Sequence, residues 1–158
     1  MRVDVEYDER YWYPDDGGQV WLAGYQVIDP ASKRYLARDA PELRERGVHV
    51  SHVAGAGAHH TEALMSEAVA PGAPLLLRRD PDNPHDHNAI QVHPADGGEQ
   101  VGWVPRELAA ELAPALDAGA PWSAVALREQ RASPRDPRTG VTMLLAAAPE
   151  IELRPAGR

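Results

Sequence analysis

Residues 75–92, LLLRRDPDNPHDHNAIQV, constrain the fold more than any other stretch of the chain. Residues 75–77 form an apolar run that is too short for a helix and is typical of a buried strand. Pro81 and Pro84 prevent a helix across the middle, because each proline fixes its own φ and pushes the preceding residue toward extended geometry. Residues 89–92 alternate between apolar and polar and predict a second strand. We therefore expect two strands joined by a stiff loop.

The loop between these strands is rich in Asp and Asn, whose short side chains bond to nearby backbone and hold turns in one shape. It is expected to present Asn83, His85, Asp86 and His87 to a ligand. An alternative stays open, in which Asn83, Asp86 and Asn88 only cap turn backbone and meet no ligand.

The rest of the chain has the pattern of short strands and short helices separated by Pro and Gly. Five to seven short strands and two or three short helices favour a mainly β fold, a small β-barrel with helices at its rims. The predicted strands of this barrel lie at residues 48–54, 75–77, 89–92, 100–104, 122–129, 141–147 and 150–153. The predicted helices lie at residues 41–46, 62–69 and 106–116.

An N-terminal β-hairpin is predicted ahead of the barrel, from alternating residues 3–7 and from residues 19–28, with a turn at residues 15–18. Four aromatic residues lie in or beside it, and two interpretations of them are open. They pack in the core or within the hairpin, or they form a stacking surface or a partner interface. These residues are Trp12, Tyr13, Trp21 and Tyr25.

Composition excludes several classes of protein. With no cysteine the chain has no disulfide and no thiolate nucleophile or ligand. It has no phosphate-binding GxxxxGK[ST] motif and no run of apolar residues long enough to cross a bilayer. The N-terminus lacks the apolar core of a signal peptide, so we expect a cytoplasmic protein. The net charge of −8 argues against coating of a phosphate backbone and limits nucleic-acid binding to a small pocket for an end or a few nucleotides.

Two ordered motifs carry a family resemblance: RDPDNPHDHNAIQV at residues 79–92 and VGWVPRELA at residues 101–109. Together they resemble the HIRAN domain, a module of helicase-like ATPases that remodel stalled replication forks, which also occurs alone in bacterial proteins. The resemblance implies a modified oligonucleotide-binding (OB)-like barrel. We expect a hairpin extension at residues 1–47, the HIRAN-like domain at 48–154 and a frayed tail at 155–158, in a stand-alone bacterial member.

The resemblance also implies a site for a single-stranded 3′ end. Asp86 stands where the family has the carboxylate that contacts the terminal hydroxyl, Trp103 is at a stacking position, and Arg106 is the basic residue at a helix start. The candidate nucleic-acid-binding residues are His59, His60, Arg79, Asn83, His85, Asp86, Trp103 and Arg106. The chain departs from the family at His59 and His60, which replace two tyrosines. It departs again at His85, which replaces a third, and at Val141, which replaces an aromatic residue.

The sequence therefore predicts a binding module without enzymatic activity, metal or other cofactor. It would recognise single-stranded DNA 3′ ends, or RNA, in DNA repair or replication. One alternative is a protein-interaction module of the same fold that has lost DNA-end binding and contacts a protein partner through the N-terminal hairpin. Another is a metal-dependent hydrolase, because the chain has seven histidines and the sequence His85-Asp86-His87.

Overall fold

The computed structural model describes residues 1–14 and 18–155, with only the backbone of residue 58. This part of the chain is mainly β, with a few short helices, as predicted. The strands are β1 (Arg2–Trp12), β2 (Val20–Val27), β3 (Val48–His52), β4 (Pro74–Arg79), β5 (Ile90–Pro94), β6 (Gly102–Trp103), β7 (Ser123–Arg131), β8 (Arg138–Ala146) and β9 (Glu152–Pro155). The helices are α1 (Pro41–Glu45), α2 (Ala56–His59), α3 (Thr61–Leu64) and α4 (Arg106–Asp117).

Six strands form a ring. They are hydrogen-bonded in the order β3-β8-β7-β4-β5-β6, all antiparallel. Just past β3, Ala54 exchanges two backbone hydrogen bonds with Trp103 of β6, of 2.8 and 2.9 Å, and this bridge joins the two ends of the series. A sheet whose ends are joined is a barrel. The predicted small β-barrel is therefore present, although its closure depends on a single pair of residues.

Strands β7 and β8 are buried on both faces and separate two hydrophobic cores. In β8, Met143 and Leu145 point into the barrel, whereas Leu144 and Ala146 point to its outside. The hairpin of β1 and β2, together with α1, covers this outer face. The second core contains Val3, Val5, Val27, Leu43, Val48, Val125 and Leu127. This second core combines residues from both sides of residue 48, so the hairpin extension and the barrel share it. The predicted domain division at residue 48 stays a prediction.

The aromatic residues of the hairpin fall into two groups. T-shaped ring pairs join β1 and β2, with centroids 5.4 Å apart for Tyr7 and Tyr25 and 5.0 Å apart for Tyr11 and Trp21. Trp12 and Tyr13, in contrast, are 52% and 66% exposed. Packing within the hairpin therefore applies to Trp21 and Tyr25, whereas a stacking surface or partner interface stays a prediction for Trp12 and Tyr13. Residues 15–17 of the predicted turn lie outside the described residues.

The bounds of a helix were predicted most accurately where a long apolar stripe marks it in the sequence. The helix predicted at residues 106–116 is α4, which continues through Pro114. The helix predicted at residues 62–69 is instead divided into α3 and a 3-10 turn, Glu67–Val69, because the Ser66 hydroxyl accepts the amide of Ala68 at 3.1 Å and begins a new turn. Within the described ranges, no helix has the length and apolar character needed to cross a membrane.

The C-terminal strand β9 lies at the edge of the sheet and pairs with β1 in parallel over residues 2–5. A short edge strand was predicted here, two residues earlier at each end. Of the predicted frayed tail, Pro155 is the last residue of β9, and residues 156–158 lie outside the described part of the chain.

His49 of β3 should make folding stability depend on pH. Its ring lies 5.8 Å from that of Trp122, and burial lowers the pKa of His49, although Glu111 opposes this shift. As the pH falls through about 6.5 the unfolded chain takes up a proton at this histidine, and the folded chain takes it up only at a lower pH. The unfolded state then binds more protons, so we expect stability to fall from about pH 7.5 to pH 5.5.

Urea unfolding at the two pH values checks this expectation. The loss of stability on acidification should be smaller in His49→Gln than in the wild type. His52→Gln, a change at an exposed residue of the same strand, is the control and should keep the wild-type loss. Identical pH dependence of the wild type and His49→Gln would contradict the prediction.

Candidate functional site

The loop between β4 and β5 is held in one shape by its own side chains. Asn83 Oδ1 accepts hydrogen bonds from the amides of His85 and Asp86 at 2.9 and 3.1 Å, and Asn83 Nδ2 donates to Asp80 Oδ2 at 3.2 Å. Asp86 Oδ1 accepts from the amide of Asn88 at 2.9 Å. These are the turn-capping bonds expected of Asn and Asp. They account fully for Asn83, but they use only one of the two carboxylate oxygens of Asp86.

Arg79 fastens this loop to the C-terminal end of α4. Its guanidinium donates to both carboxylate oxygens of Asp117, at 2.8 and 3.2 Å, and to the carbonyls of Ala89 and His87 at 2.7 and 3.0 Å. The hydrogen bonds from Arg79 lower the pKa of the Asp117 carboxyl. The structure thus places Arg79 behind the loop, with its charge already matched.

A cavity of about 340 Å³ lies between this loop, the Ala54–Trp103 bridge and the start of α4. Its floor is apolar and its rim is polar and charged, which is the usual composition of a small-ligand pocket. The lining residues are Ala54, Asn83, His85, Asp86, Ala89, Trp103, Val104 and Arg106. Five of the eight predicted site residues are therefore brought together. An adjoining cavity of about 400 Å³ shares Asn83, His85, Asp86 and Arg106 with it.

Asp86 and Arg106 form the charged rim of the cavity. The second carboxylate oxygen, Oδ2, lies 3.9 Å from Arg106 Nε and accepts no hydrogen bond from the other described residues. Arg106 Nη2 donates weakly to the carbonyl of His85 at 3.4 Å. Asp86 is 18% exposed and Arg106 78% exposed. A fixed carboxylate therefore faces a cation that is free to turn toward a ligand.

Trp103 and His59 form an aromatic wall around Gly55. This glycine has φ +74°, and a methyl group on it would lie 3.4 Å from Trp103 Cδ1 and 3.8 Å from His59 Cδ2. The two rings thus flank the same backbone position. His59 also lines a separate cavity of about 420 Å³, where His60 lies with Glu62 and Glu99. Neither His59 nor His60 lines the first cavity, although His59 lies near Trp103 at Gly55.

Val141, at the position where the family has an aromatic residue, is buried in the barrel core. It cannot offer a stacking surface to a ligand. Trp103 therefore supplies the large aromatic surface of the cavity, and His85 adds an imidazole to its lining.

The apolar floor was missed by the reasoning from sequence. Ala54, Ala89 and Val104 are small or apolar residues that nothing in the local pattern marks as functional. Gly102 is the one available signal, because a Cβ there would lie 2.4 Å from the carbonyl oxygen of Ala54. A glycine directly before an aromatic residue in a strand can mark such a close backbone approach.

The histidines do not assemble into a metal site in the part of the chain that the structure describes. No three His, Asp or Glu side chains there come together in a way that could hold an ion. The metal-dependent hydrolase therefore has no candidate centre in the described residues.

Comparison with known proteins identifies the family of the chain. The family model of the HIRAN domain matches residues 48–139 of the sequence, which is more than half of the chain. A stretch of 43 residues is 51% identical to the helicase-like transcription factor of Oryctolagus cuniculus. It covers 27% of this chain and 4% of that protein, so the chain spans a small fraction of this relative's length.

The crystal structure of the HIRAN domain of human HLTF is similar at 29% sequence identity, with a TM-score of 0.46. The match covers 63% of this chain and 76% of that one. The extent of the family match, together with the two motifs around the cavity, identifies the chain: it belongs to the HIRAN domain family.

Proposed function

We propose that this HIRAN domain binds the 3′ end of single-stranded DNA, or of RNA, in the cavity between the β4–β5 loop and α4. The observation that carries the proposal is the position of Asp86 Oδ2, a carboxylate oxygen that faces Arg106 at the rim of an apolar cavity beside Trp103. A strand terminus offers a base to stack, a hydroxyl that donates a hydrogen bond and a phosphate. The three residues match these three groups.

Each contact has a physical reason. The terminal base would stack on the indole of Trp103, since every base has a π face. The 3′-hydroxyl would donate to Asp86 Oδ2, which the loop holds in place. Arg106 would swing toward the adjacent phosphate. The first amides of α4 have no intrahelical acceptor, because the first intrahelical hydrogen bond is donated by Ala109 to the carbonyl of Pro105, so they too could donate to a phosphate.

The charge balance supports an end-binding mode over binding along a backbone. The chain carries −8 overall, and Arg79 is already matched by Asp117, so few cations remain near the cavity for phosphates. Binding should therefore be modest in affinity and should depend on the terminus. We further propose that this binding serves a non-enzymatic role in DNA repair or replication in a bacterial cytoplasm.

The end preference gives the direct test. The wild type is expected to bind an oligonucleotide with a free 3′-hydroxyl at least about tenfold more tightly than the same oligonucleotide with a 3′-phosphate. The reason is that the phosphate removes a donor to a charged acceptor, a bond worth about 1.5–3 kcal/mol, and adds repulsion. Fluorescence anisotropy with both oligonucleotides measures the ratio.

Asp86→Asn should reduce this ratio toward one, because the amide keeps the shape and the bond to the Asn88 amide but loses the charge. Asp82→Asn changes an exposed carboxylate of the same loop that does not line the cavity, and it should keep the wild-type ratio. Equal affinity of the wild type for both oligonucleotides would rule out the role of Asp86.

The N-terminal hairpin favours a second candidate function, binding of a protein partner. Trp12 and Tyr13 are exposed near its tip, and β1 pairs with β9 only over residues 2–5, so its remaining edge has no strand beside it among the described residues. An extended peptide can add to such an edge through backbone hydrogen bonds. Both functions are compatible in one molecule, because the hairpin and the cavity do not share lining residues.

A further inference from the structure

β1 is an edge strand of the sheet for most of its length. β9 pairs with it in parallel over residues 2–5, and no described strand lies beside residues 6–12 on that side. A row of unpaired N–H and C=O groups at a sheet edge is a template for another extended chain. The free part is long enough to take a whole strand, since strands average about five to six residues.

Strand register determines which backbone groups face outward along this edge. The amide of Ile28, just past β2, donates to the carbonyl of Asp4 at 2.9 Å. Asp4 and every second residue after it therefore turn their N–H and C=O groups toward β2, and the intervening residues turn theirs away from it. Beyond the end of β9, the outward-facing backbone groups are those of Tyr7, Glu9 and Tyr11.

The side chains of these three residues lie on one face of β1, with a carboxylate between two tyrosine rings. The rings of Tyr7 and Tyr11 make the T-shaped pairs with Tyr25 and Trp21, yet they remain 47% and 38% exposed. Glu9 Oε1 accepts a hydrogen bond from the Tyr7 hydroxyl at 2.9 Å. Its Oε2 has no hydrogen-bond partner among the described residues, so Glu9 can accept a donor from a ligand at the edge.

The free edge carries a negative charge. Three of its residues are acidic and one is basic: Glu6, Asp8, Glu9 and Arg10. Asp8 pairs with Arg10 at 3.6 Å, and Glu6 accepts a hydrogen bond from the Tyr35 hydroxyl at 3.2 Å. Both of these acids lie on the face opposite to Glu9, because side chains alternate along a strand. Glu9 is therefore the acid on the aromatic face of the edge.

The cations on the same face belong to another carboxylate. Two strands away, Glu129 of β7 is opposite Ala23, which is opposite Glu9. Glu129 is held by Arg131 Nε at 3.1 Å and by Arg138 Nε at 2.7 Å. Neither arginine makes an ion pair with Glu9 within the described ranges. The charge of Glu9 is thus left for a partner.

A second copy of the chain would be a poor occupant of this edge. The antiparallel register that uses all three outward-facing residues places Tyr7 opposite Tyr11 of the other copy and the two Glu9 side chains opposite each other. Like charges directly opposite are destabilising, and each copy carries a net charge of −8. A cation opposite Glu9 would instead gain an ion pair beside two tyrosine rings, whose faces attract cations. Charge complementarity therefore favours a different, basic chain.

We infer that residues 6–12 bind an extended, basic segment of another protein, which adds to the sheet in line with β9. A Lys or Arg of that segment would lie opposite Glu9, with apolar side chains opposite Tyr7 and Tyr11. The inference rests on the second candidate function, protein binding by the hairpin, and names the chemistry of the partner. β1 lies outside residues 48–139, the part that matches the family, so this surface would be an addition to the HIRAN domain.

Two peptides of opposite charge test the inference. The probe is a fluorescent, end-capped peptide, Thr-Val-Thr-Lys-Thr-Val-Thr, which reads the same in both directions and so does not presuppose the direction of pairing. The control peptide has Glu in place of Lys. Fluorescence anisotropy should show that the wild type binds the Lys peptide about fivefold more tightly than the Glu peptide. The reason is that opposite charges stabilise a cross-strand pair, whereas like charges destabilise it.

Glu9→Lys should reverse this preference, so that the Glu peptide binds more tightly, and Glu9→Gln should abolish it. Glu45→Lys, at an exposed position of α1, makes the same change of net charge away from the edge and should keep the wild-type preference. A thermal melt verifies folding of each variant.

Backbone pairing is checked separately with two forms of the Lys peptide, each N-methylated at one of the two alternating sets of amides. One form loses the N–H groups that face β1 and should not bind. The other keeps them and should bind like the unmethylated peptide, because its methyl groups point away from the sheet.

The outcomes are distinct. If the wild type binds both charged peptides equally and one methylated form does not bind, the preference for a basic partner is overturned while peptide binding at the edge stands. If the wild type binds neither peptide, or if neither methylation weakens binding, the second candidate function fails and the inference fails with it. A dimer in sedimentation velocity that dissociates as the Lys peptide binds would assign the edge to a second copy instead. Reversal in Glu9→Lys, with the wild-type preference kept in Glu45→Lys, supports the inference.

Discussion

Gly102→Ala is expected to lower the free energy of unfolding by about 3 kcal/mol or more, at the upper end of the range for overpacked sites. A Cβ on Gly102 would lie 2.4 Å from the carbonyl oxygen of Ala54 and 2.7 Å from Val53 Cγ1. The carbonyl belongs to the bridge that closes the barrel, so it cannot move aside without breaking the hydrogen bonds between Ala54 and Trp103. Urea unfolding followed by tryptophan fluorescence measures the loss.

Gly140→Ala is the matched control. Gly140 is also a strand glycine, but the nearest heavy atom to a Cβ there is Gln130 Cβ, at 3.8 Å, and its φ is not positive. This change should alter stability by less than about 1 kcal/mol, the span of strand preferences. Equal effects of the two substitutions would mean that the Ala54–Trp103 bridge does not hold the barrel closed.

Trp103→Ala is expected to weaken binding of a 3′-hydroxyl oligonucleotide by about 5- to 150-fold, because stacking on an aromatic side chain contributes about 1–3 kcal/mol per base. The indole is the large aromatic surface of the cavity, and Val141 cannot replace it from inside the core. Trp103→Phe keeps a ring at the same position and should recover most of the affinity. Anisotropy titrations of the three proteins give the comparison.

Trp12→Ala is the control for this substitution and separates the two candidate functions. Trp12 is 52% exposed on the hairpin and does not line the cavity. Its loss should leave the affinity for the oligonucleotide unchanged. If Trp12→Ala weakens oligonucleotide binding as much as Trp103→Ala does, the aromatic hairpin and not the cavity is the nucleic-acid surface.

Local sequence predicted the elements around the site because local chemistry determines them. The prolines and the Asp and Asn residues of the loop act within a few residues, and the bonds made by Asn83 and Asp86 are the ones expected of such side chains. The leucines of α4 recur with helical periodicity, which predicted its extent to within one residue at its C-terminal end.

Contacts between residues that are distant in the chain were not predictable in the same way. The residues next to Arg79 in the sequence do not indicate its role. Only the folded structure shows that its guanidinium pairs with the carboxylate of Asp117. The bridge between Ala54 and Trp103 likewise joins segments 49 residues apart and leaves Gly102 as its only trace in the sequence. The exposure of Trp12 follows from the length of β1, which continues five residues beyond the predicted strand.

The bonds of Arg79 have a thermodynamic consequence for any ligand. Because one guanidinium ties the loop backbone at His87 and Ala89 to the far end of α4, the two walls of the cavity are parts of a single rigid frame. A ligand that enters therefore has little backbone to immobilise. The free energy of association then does not include the entropy loss of ordering a flexible loop. Association of a strand terminus should accordingly resemble insertion into a preformed socket, with only the exposed Arg106 changing its rotamer.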